Sequence, residues 1–385
     1  MYGSRYRRVR LDDLIAFAWS APMRELAATL RMSDVGLKKS LVKHGVVCPP
    51  QGYWNKIKAG RKVPDRPRAL PRRPGERPYL TLFDWDIAGL PEAPLPSPDG
   101  PFETPAVPED LEALRALEAR QIGKSVSART MTSPHKDIAY LLQKDELLKE
   151  RNAASRWGFS ADPLLFESPF ERRRLRVLNA IFRTLEKRGH SGSASRRDRH
   201  VDFSVRIGDT ALSLQLIEAG KRAPTVYDRV TPDPKRSAAV RLELLLSSLG
   251  EPGKTIWRDT DHAKIEDHIS EICVDLIVAG EAAYRADLRR IAEIEERSRV
   301  AAEQRAEEAR RQEEQARVKN LLRSGKLLAR AEHLRSVISR VEAAVVAGNV
   351  DISEEALAEW RDWANGQADA IDPIKSGQIR THLTR

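Results

Sequence analysis

Apolar side chains recur along this chain with two periods, and the two periods mark out its elements. Spacing of three and four residues predicts helices at several places. Leu11, Leu14, Ile15 and Ala18 form one apolar face, and Leu26, Ala27 and Leu30 a second. Leu37 and Leu41 form a third. Leu175, Leu178, Ile181, Phe182 and Leu185 give a longer amphipathic helix over residues 172–188, which Gly189 would end. Ile265, Ile269, Ile272, Leu276 and Ile277 define another over about 261–284. Alternation predicts strands at residues 201–207 and 211–217, joined at Gly208-Asp209, with a weaker third over 240–246.

Elsewhere the pattern weakens. Between residues 281 and 333 Glu, Arg, Ala and Gln dominate, and apolar positions thin out after Ile294. A long solvated helix carrying Glu–Arg pairs at i,i+4 is expected there, with a dimeric coiled coil as the alternative. Leu334, Val337, Ile338, Val341 and Val345 resume an apolar face until Gly348-Asn349. Ser353 opens a last helix containing Leu357, Trp360 and Trp363, whose tryptophans should pack on a neighbour. The expected fold is mainly α with a smaller α+β domain. Its expected divisions are residues 1–60 (helix-turn-helix), 61–110 (basic, then Pro-rich arm and linker), 111–159 (helical connector), 160–280 (helix plus small antiparallel sheet), 281–333 (long charged helix) and 334–385 (C-terminal helical segment).

Residues 22–44 carry the strongest local signal. Arg31-Met32-Ser33 reads as the turn between two short helices, at a place where such motifs commonly carry Gly. Ser33 can cap the second helix. With Leu37 and Leu41 turned inward, Ser33, Asp34, Gly36, Lys38, Lys39 and Lys43 are expected to face a DNA major groove. An ordinary helical hairpin in a core would share this pattern.

Charge sharpens the choice. Residues 1–80 hold 18 Lys and Arg against 6 Asp and Glu, a net of +12, whereas the whole chain carries +10. The positive charge therefore sits at one end, as a nucleic-acid footprint would. In residues 48–78 repeated prolines favour extended chain. Lys56, Lys58, Arg61, Lys62, Arg66, Arg68, Arg72 and Arg73 are expected to contact phosphates. Tyr53 and Trp54 would stack on bases or close off the helical domain. Between residues 90 and 109 seven further prolines read as a spacer, interrupted upstream by an apolar cluster at residues 79–83 with Trp85.

These residues resemble the start of a group of bacterial helix-turn-helix proteins, largely uncharacterised, with the form S-D-V-x-L-x-K followed by P-P-x-G-Y-W-x-K and a Lys/Arg/Pro arm. The matching positions are Ser33, Asp34, Val35, Leu37 and Lys39, then Pro49, Pro50, Gly52, Tyr53, Trp54 and Lys56. The resemblance implies a bacterial DNA-binding protein and supplies no catalytic residues.

Other chemistry is thinly represented. Cys48 and Cys273 lie far apart, which fits a reducing cytoplasm and indicates no disulfide framework. Gly123-Lys124-Ser125 lacks the upstream Gly of a phosphate-binding loop. Asp202 with Glu218 and Lys221 invites comparison with metal-dependent nucleases, but the spacing of Glu218 and Lys221 has one residue too many unless Gly220 forms a bulge. Asp259, Asp261, His262, Glu266 and His268 offer a second acidic and imidazole cluster, more simply read as a solvated helix surface. No metal and no cofactor is expected. The expected partner is double-stranded DNA, in a cytoplasmic, nucleoid-associated protein with no membrane span. A homodimer through the C-terminal helices, or a protein partner for the C-terminal half, would complete it. A transcription regulator and a DNA-targeting subunit of a mobile element or defence system fit alike; a nuclease-like centre and an oligomeric scaffold are the readings of other classes.

Overall fold

The computed structural model describes residues 6–83, 90–154, 163–197, 200–222, 232–247 and 254–382. It is mainly α-helical with one small five-stranded antiparallel sheet, and it divides into two compact units, Met1–Ala292 and Glu293–Arg385.

The first unit opens with strand β1 (Tyr6–Val9) and helices α1 (Leu11–Ala18), α2 (Met23–Thr29), α3 (Asp34–Lys43) and α4 (Tyr53–Lys58). Leu14, Ile15, Ala18, Leu26, Ala27, Leu37 and Leu41 close into one core, as their spacing predicts. Burying each leucine there contributes about 2 kcal/mol. Strand β2 (Leu80–Phe83) returns to pair antiparallel with β1, Val9 opposite Leu80, and Leu82 joins the same core. Trp85 lies outside the described residues.

Helices α5 (Leu111–Ile122), α6 (Lys136–Ala154) and α7 (Pro169–Lys187) lead into the sheet. Its strands β3 (Ser191–Arg197), β4 (His200–Ile207), β5 (Thr210–Glu218), β6 (Leu242–Ser247) and β7 (Lys254–Arg258) lie in sequence order, each antiparallel to the next. Phe203, Val205 and Ile207 of β4 meet Leu212, Leu214 and Leu216 of β5 on the face that packs with α7. The edge strand β3 escapes a hydrophobic search because it reads Ser-Gly-Ser-Ala-Ser-Arg-Arg. Its small residues have a packing cause: a Cβ on Gly192 would lie 2.1 Å from the Phe182 ring of α7.

Residues 61–110 do not behave as the free spacer their prolines suggest. Tyr79, Ala93, Phe102 and Val107 are buried. The Pro74-Gly75 turn inserts between the β4–β5 hairpin and the start of α8 (Ile269–Val346). A Cβ on Gly75 or Gly280 would fall 2.2 Å from the carbonyl oxygen or 2.5 Å from the Cβ of Ile207, so both glycines are required by close approach. Proline excludes helix but not docking, and the chain here lies down as extended backbone.

Helix α8 begins later than its apolar spacing predicts, after a short 3₁₀ turn over Ile265–His268, and runs unbroken for 78 residues. In the second unit it continues to Val346 and is followed by α9 (Glu354–Ile371), capped by Ser353 as predicted. Ala331 and Ile338 of α8 and Ala364 and Ala368 of α9 are buried, and Arg335 bridges to Asp369 and Asp372, both at 2.8 Å. Trp363 corrects the expectation that both tryptophans pack inward: it is 62% exposed. Among the described residues no helix is long and apolar enough to cross a membrane.

Candidate nucleic-acid interface

Helix α3 buries Leu37 and Leu41 in the N-terminal core and leaves its other side exposed. The Ser33 hydroxyl accepts the Gly36 N–H at 3.1 Å and fixes the first turn. A Cβ at residue 36 would come within 2.9 Å of that hydroxyl, so Gly36 serves the cap. Asp34 turns back on its own helix, its carboxylate accepting the Val35 N–H at 2.8 Å. There it complements the positive N-terminal end of the helix dipole. Arg31, at the place where a glycine is common, holds φ at +55°. The turn thus keeps a left-handed geometry with a side chain that pays about 1 kcal/mol for it.

At 100° per residue, the direction opposite Leu37 and Leu41 falls among Val35, Lys39, Val42 and Lys43, with Lys38 on the flank. Val35 and Val42 are 59% and 57% exposed. The residues predicted from the sequence include the lysines of this face and omit its two valines. A search for base contacts favours polar side chains, and two unburied branched aliphatics one above the other are the missing signal. Such a face offers methyl groups flanked by lysine ammonium groups.

Helix α4 follows a left-handed Gly52 (φ +77°) and carries Tyr53 and Trp54. Tyr53 stands edge-on to Trp19 at 5.0 Å and to Trp54 at 5.2 Å, and the Trp19 indole N–H donates to the Val47 carbonyl at 2.6 Å. Both residues are half-buried and close off the end of the helical domain, the second of the two roles their sequence allows. Lys56 and Lys58 project into solvent from the same helix.

The basic arm is a tethered loop. It leaves α4 at Ala59 and is caught again where the Ala69 N–H donates to the Asp12 carboxylate at 2.8 Å. Between these points Arg61, Lys62, Arg66 and Arg68 are exposed. Together with Lys38, Lys39, Lys43, Lys56 and Lys58 they form a run of cations with no carboxylate partner among the described residues.

Arg72 does not belong to that run. Its guanidinium is buried and forks onto Glu281, at 2.8 and 2.9 Å, while donating to the Phe102 carbonyl at 3.0 Å and lying over the Tyr284 ring. Glu281 also accepts the Gly75 N–H and the Arg285 guanidinium. Burial pushes the Glu281 carboxyl up, but Arg72, the Gly75 amide and Arg285 outweigh it and hold it below the usual range. Arg72 therefore fastens the arm to α8 and cannot reach a phosphate. Arg73 is half-exposed and tied to Glu76 and the Gly189 carbonyl.

The middle domain uses its charges internally. Arg173 gathers Asp259 at 2.8 Å and Glu266 at 2.6 Å beneath two backbone carbonyls, and Arg196 holds Asp145 at 2.5 Å. Among the described residues, neither of the two acidic groupings weighed in the sequence comes together as a centre. Strand parity puts Asp202 on the face opposite Phe203 and Glu218 on the same face as Leu216, so the two carboxylates point to opposite sides of the sheet. Asp202 pairs with His200, and Glu218 is held below its usual range by Lys221 first and Arg236 second. Gly220 sits in the turn after β5 and makes no bulge within it. In the other cluster Asp259 and Glu266 are taken by Arg173, Asp261 by Arg241, and His268 stacks on Trp257 beside Glu271. Among the described residues no group of three His, Cys, Asp or Glu could hold a metal ion. Compared with known proteins, the chain matches no family model, no curated protein and no solved structure.

Proposed function

We propose that this protein binds double-stranded DNA through α3 and the tethered loop over residues 59–69. Helix α3 enters the major groove with Val35, Lys39, Val42 and Lys43 toward the bases and their flanking phosphates. Lys38, Lys56, Lys58, Arg61, Lys62, Arg66 and Arg68 supply affinity from the backbone, independent of sequence. One observation carries the reading. The arginines buried in the middle domain are matched to carboxylates, yet nine successive cations of the N-terminal region are exposed and have no carboxylate partner among the described residues. Leaving so many like charges unpaired costs stability through self-repulsion, a cost offset when a polyanion arrives. The role that follows is transcription regulation or the targeting of a larger assembly to DNA.

The test is fluorescence anisotropy of a labelled duplex with the purified full chain. Replacing Lys39 and Lys43 by Ala is expected to weaken binding at least about tenfold at low salt. Equal affinity of the variant and the wild type would refute the reading.

A further inference from the structure

From residue 293 to residue 323 of α8 every side chain is exposed apart from a half-buried Ala301. That is about 46 Å of helix whose side chains are left open to solvent by the described residues. Helices draw most of their stability from packing, and one this long and bare calls for a partner. Apolar residues are nonetheless present: Ile294, Val300, Val318, Leu321 and Leu322, the last two 60% and 63% exposed.

The charges on this stretch are segregated. Residues 293–314 hold eight acidic and five basic side chains, and residues 315–330 hold five basic and no acidic ones. In the first part arginine is largely satisfied locally, by Arg297–Glu293, Arg299–Glu296 and Arg311–Glu307. In the second, Lys319, Arg323, Lys326 and Arg330 have no carboxylate partner among the described residues. A helix with an acidic half followed by a basic half is complementary to itself when reversed. A parallel copy would set the basic halves side by side.

We propose that residues 293–326 of α8 form an antiparallel coiled-coil homodimer with a second copy of this chain. One register satisfies the whole stretch, centred between Ala309 and Arg310. It places Glu293 opposite Lys326, Glu296 opposite Arg323, Glu314 opposite Arg305 and Glu308 opposite Arg311. It sets Val318 against Ala301, Ile294 against Gly325, and Gln304 against Gln315. No two like charges face each other anywhere along it. With heptad spacing, the seam runs through Ile294, Ala301, Glu308, Gln315 and Leu322 at one position and Arg297, Gln304, Arg311, Val318 and Gly325 at the other, the aliphatic stem of Arg297 lying against Leu322. This seam is polar at its centre, which lowers affinity and fixes register and orientation.

Light scattering and sedimentation of the full chain over about 1–100 μM test the proposal, with a mass of twice 43.3 kDa expected at the upper end. Two exposed charge-reversal variants test the orientation. Glu293→Lys with Glu296→Lys, and Arg323→Glu with Lys326→Glu, should each weaken self-association at least about tenfold. Mixed one to one, they should pair with each other, because each then offers the charges the other has lost. A single-chain mass at every concentration would overturn the dimer. Unchanged self-association of both variants, or failure of the mixture to pair, would overturn the antiparallel register. DNA binding by α3 is read separately and stands or falls apart from either result.

Discussion

Basic residues at two places in the arm look alike in the sequence and should answer mutation in opposite ways. Arg61, Lys62, Arg66 and Arg68 lie on the exposed loop, whereas Arg72, a few residues on, is buried against Glu281. Consider a variant with the four loop cations changed to Ala. If each neutralises one phosphate, the slope of log K against log salt concentration falls in magnitude by about 3.6, from about 0.9 per phosphate. Between about 50 and 200 mM salt the wild type should then lose about 150-fold more affinity than the variant. The fold should be unaffected, because none of the four side chains has a described partner in the chain. Arg72→Ala should do the reverse. It strips the fork from a buried carboxylate and costs about 3 kcal/mol, or roughly 6 °C in Tm for a unit of this size, and it leaves the salt slope unchanged. Anisotropy titrations at five salt concentrations, with thermal melts of the same samples, read both quantities. A slope change below about 1 in the loop variant would refute its contact with DNA. A reduced slope in Arg72→Ala at a temperature where it is folded would refute the structural assignment of Arg72.

Further outcomes follow from the same structure. Exchanging thymine for deoxyuridine in a bound site should cost the wild type about fourfold per contacted methyl and cost a Val35→Ala, Val42→Ala double variant nothing; equal losses in both would remove the valines from base reading. Arg31→Gly relieves the left-handed φ and should stabilise the domain by about 0.5–1 kcal/mol in urea melts, net of glycine's greater freedom when unfolded; a loss of stability would show that the Arg31 side chain earns its place. Gly280→Ala should destabilise by about 1–3 kcal/mol because its Cβ meets Ile207, and an unchanged urea midpoint would contradict that packing. Burial first, then the charges of Arg73 and Arg188, lower the His190 pKa to about 4, so the unfolded chain binds the extra proton between that value and the ordinary 6.5. Stability tied to His190 is thus complete above about pH 6.5 and is lost as pH falls toward 4, by up to about 3 kcal/mol; His190→Gln should flatten that slope in acid melts.

The helix-turn-helix was legible because its signals are local. The spacing of Leu26, Ala27, Leu37 and Leu41 and the cap at Ser33 each act within a few residues, and all appear where the pattern puts them. The helix α7 and the β4–β5 hairpin were legible for the same reason. What the pattern missed depends on partners far along the chain. Strand β3 is made of small residues because Phe182 needs the room, and nothing in Ser-Gly-Ser-Ala announces a strand. Arg72 resembles its neighbours until Glu281, 209 residues away, is brought beside it. Val35 and Val42 looked like ordinary helix residues because exposure is not written in residue type.

Whether α3 reads duplex DNA is decided by selection from a pool of random duplexes. Purified full-length protein is incubated with the pool at two salt concentrations, and the retained DNA is sequenced. Retention should weaken steeply with salt, and the retained DNA should carry an enriched motif containing thymine at positions lost in the Val35→Ala, Val42→Ala variant. No retention even at the lower salt concentration would contradict DNA reading by α3.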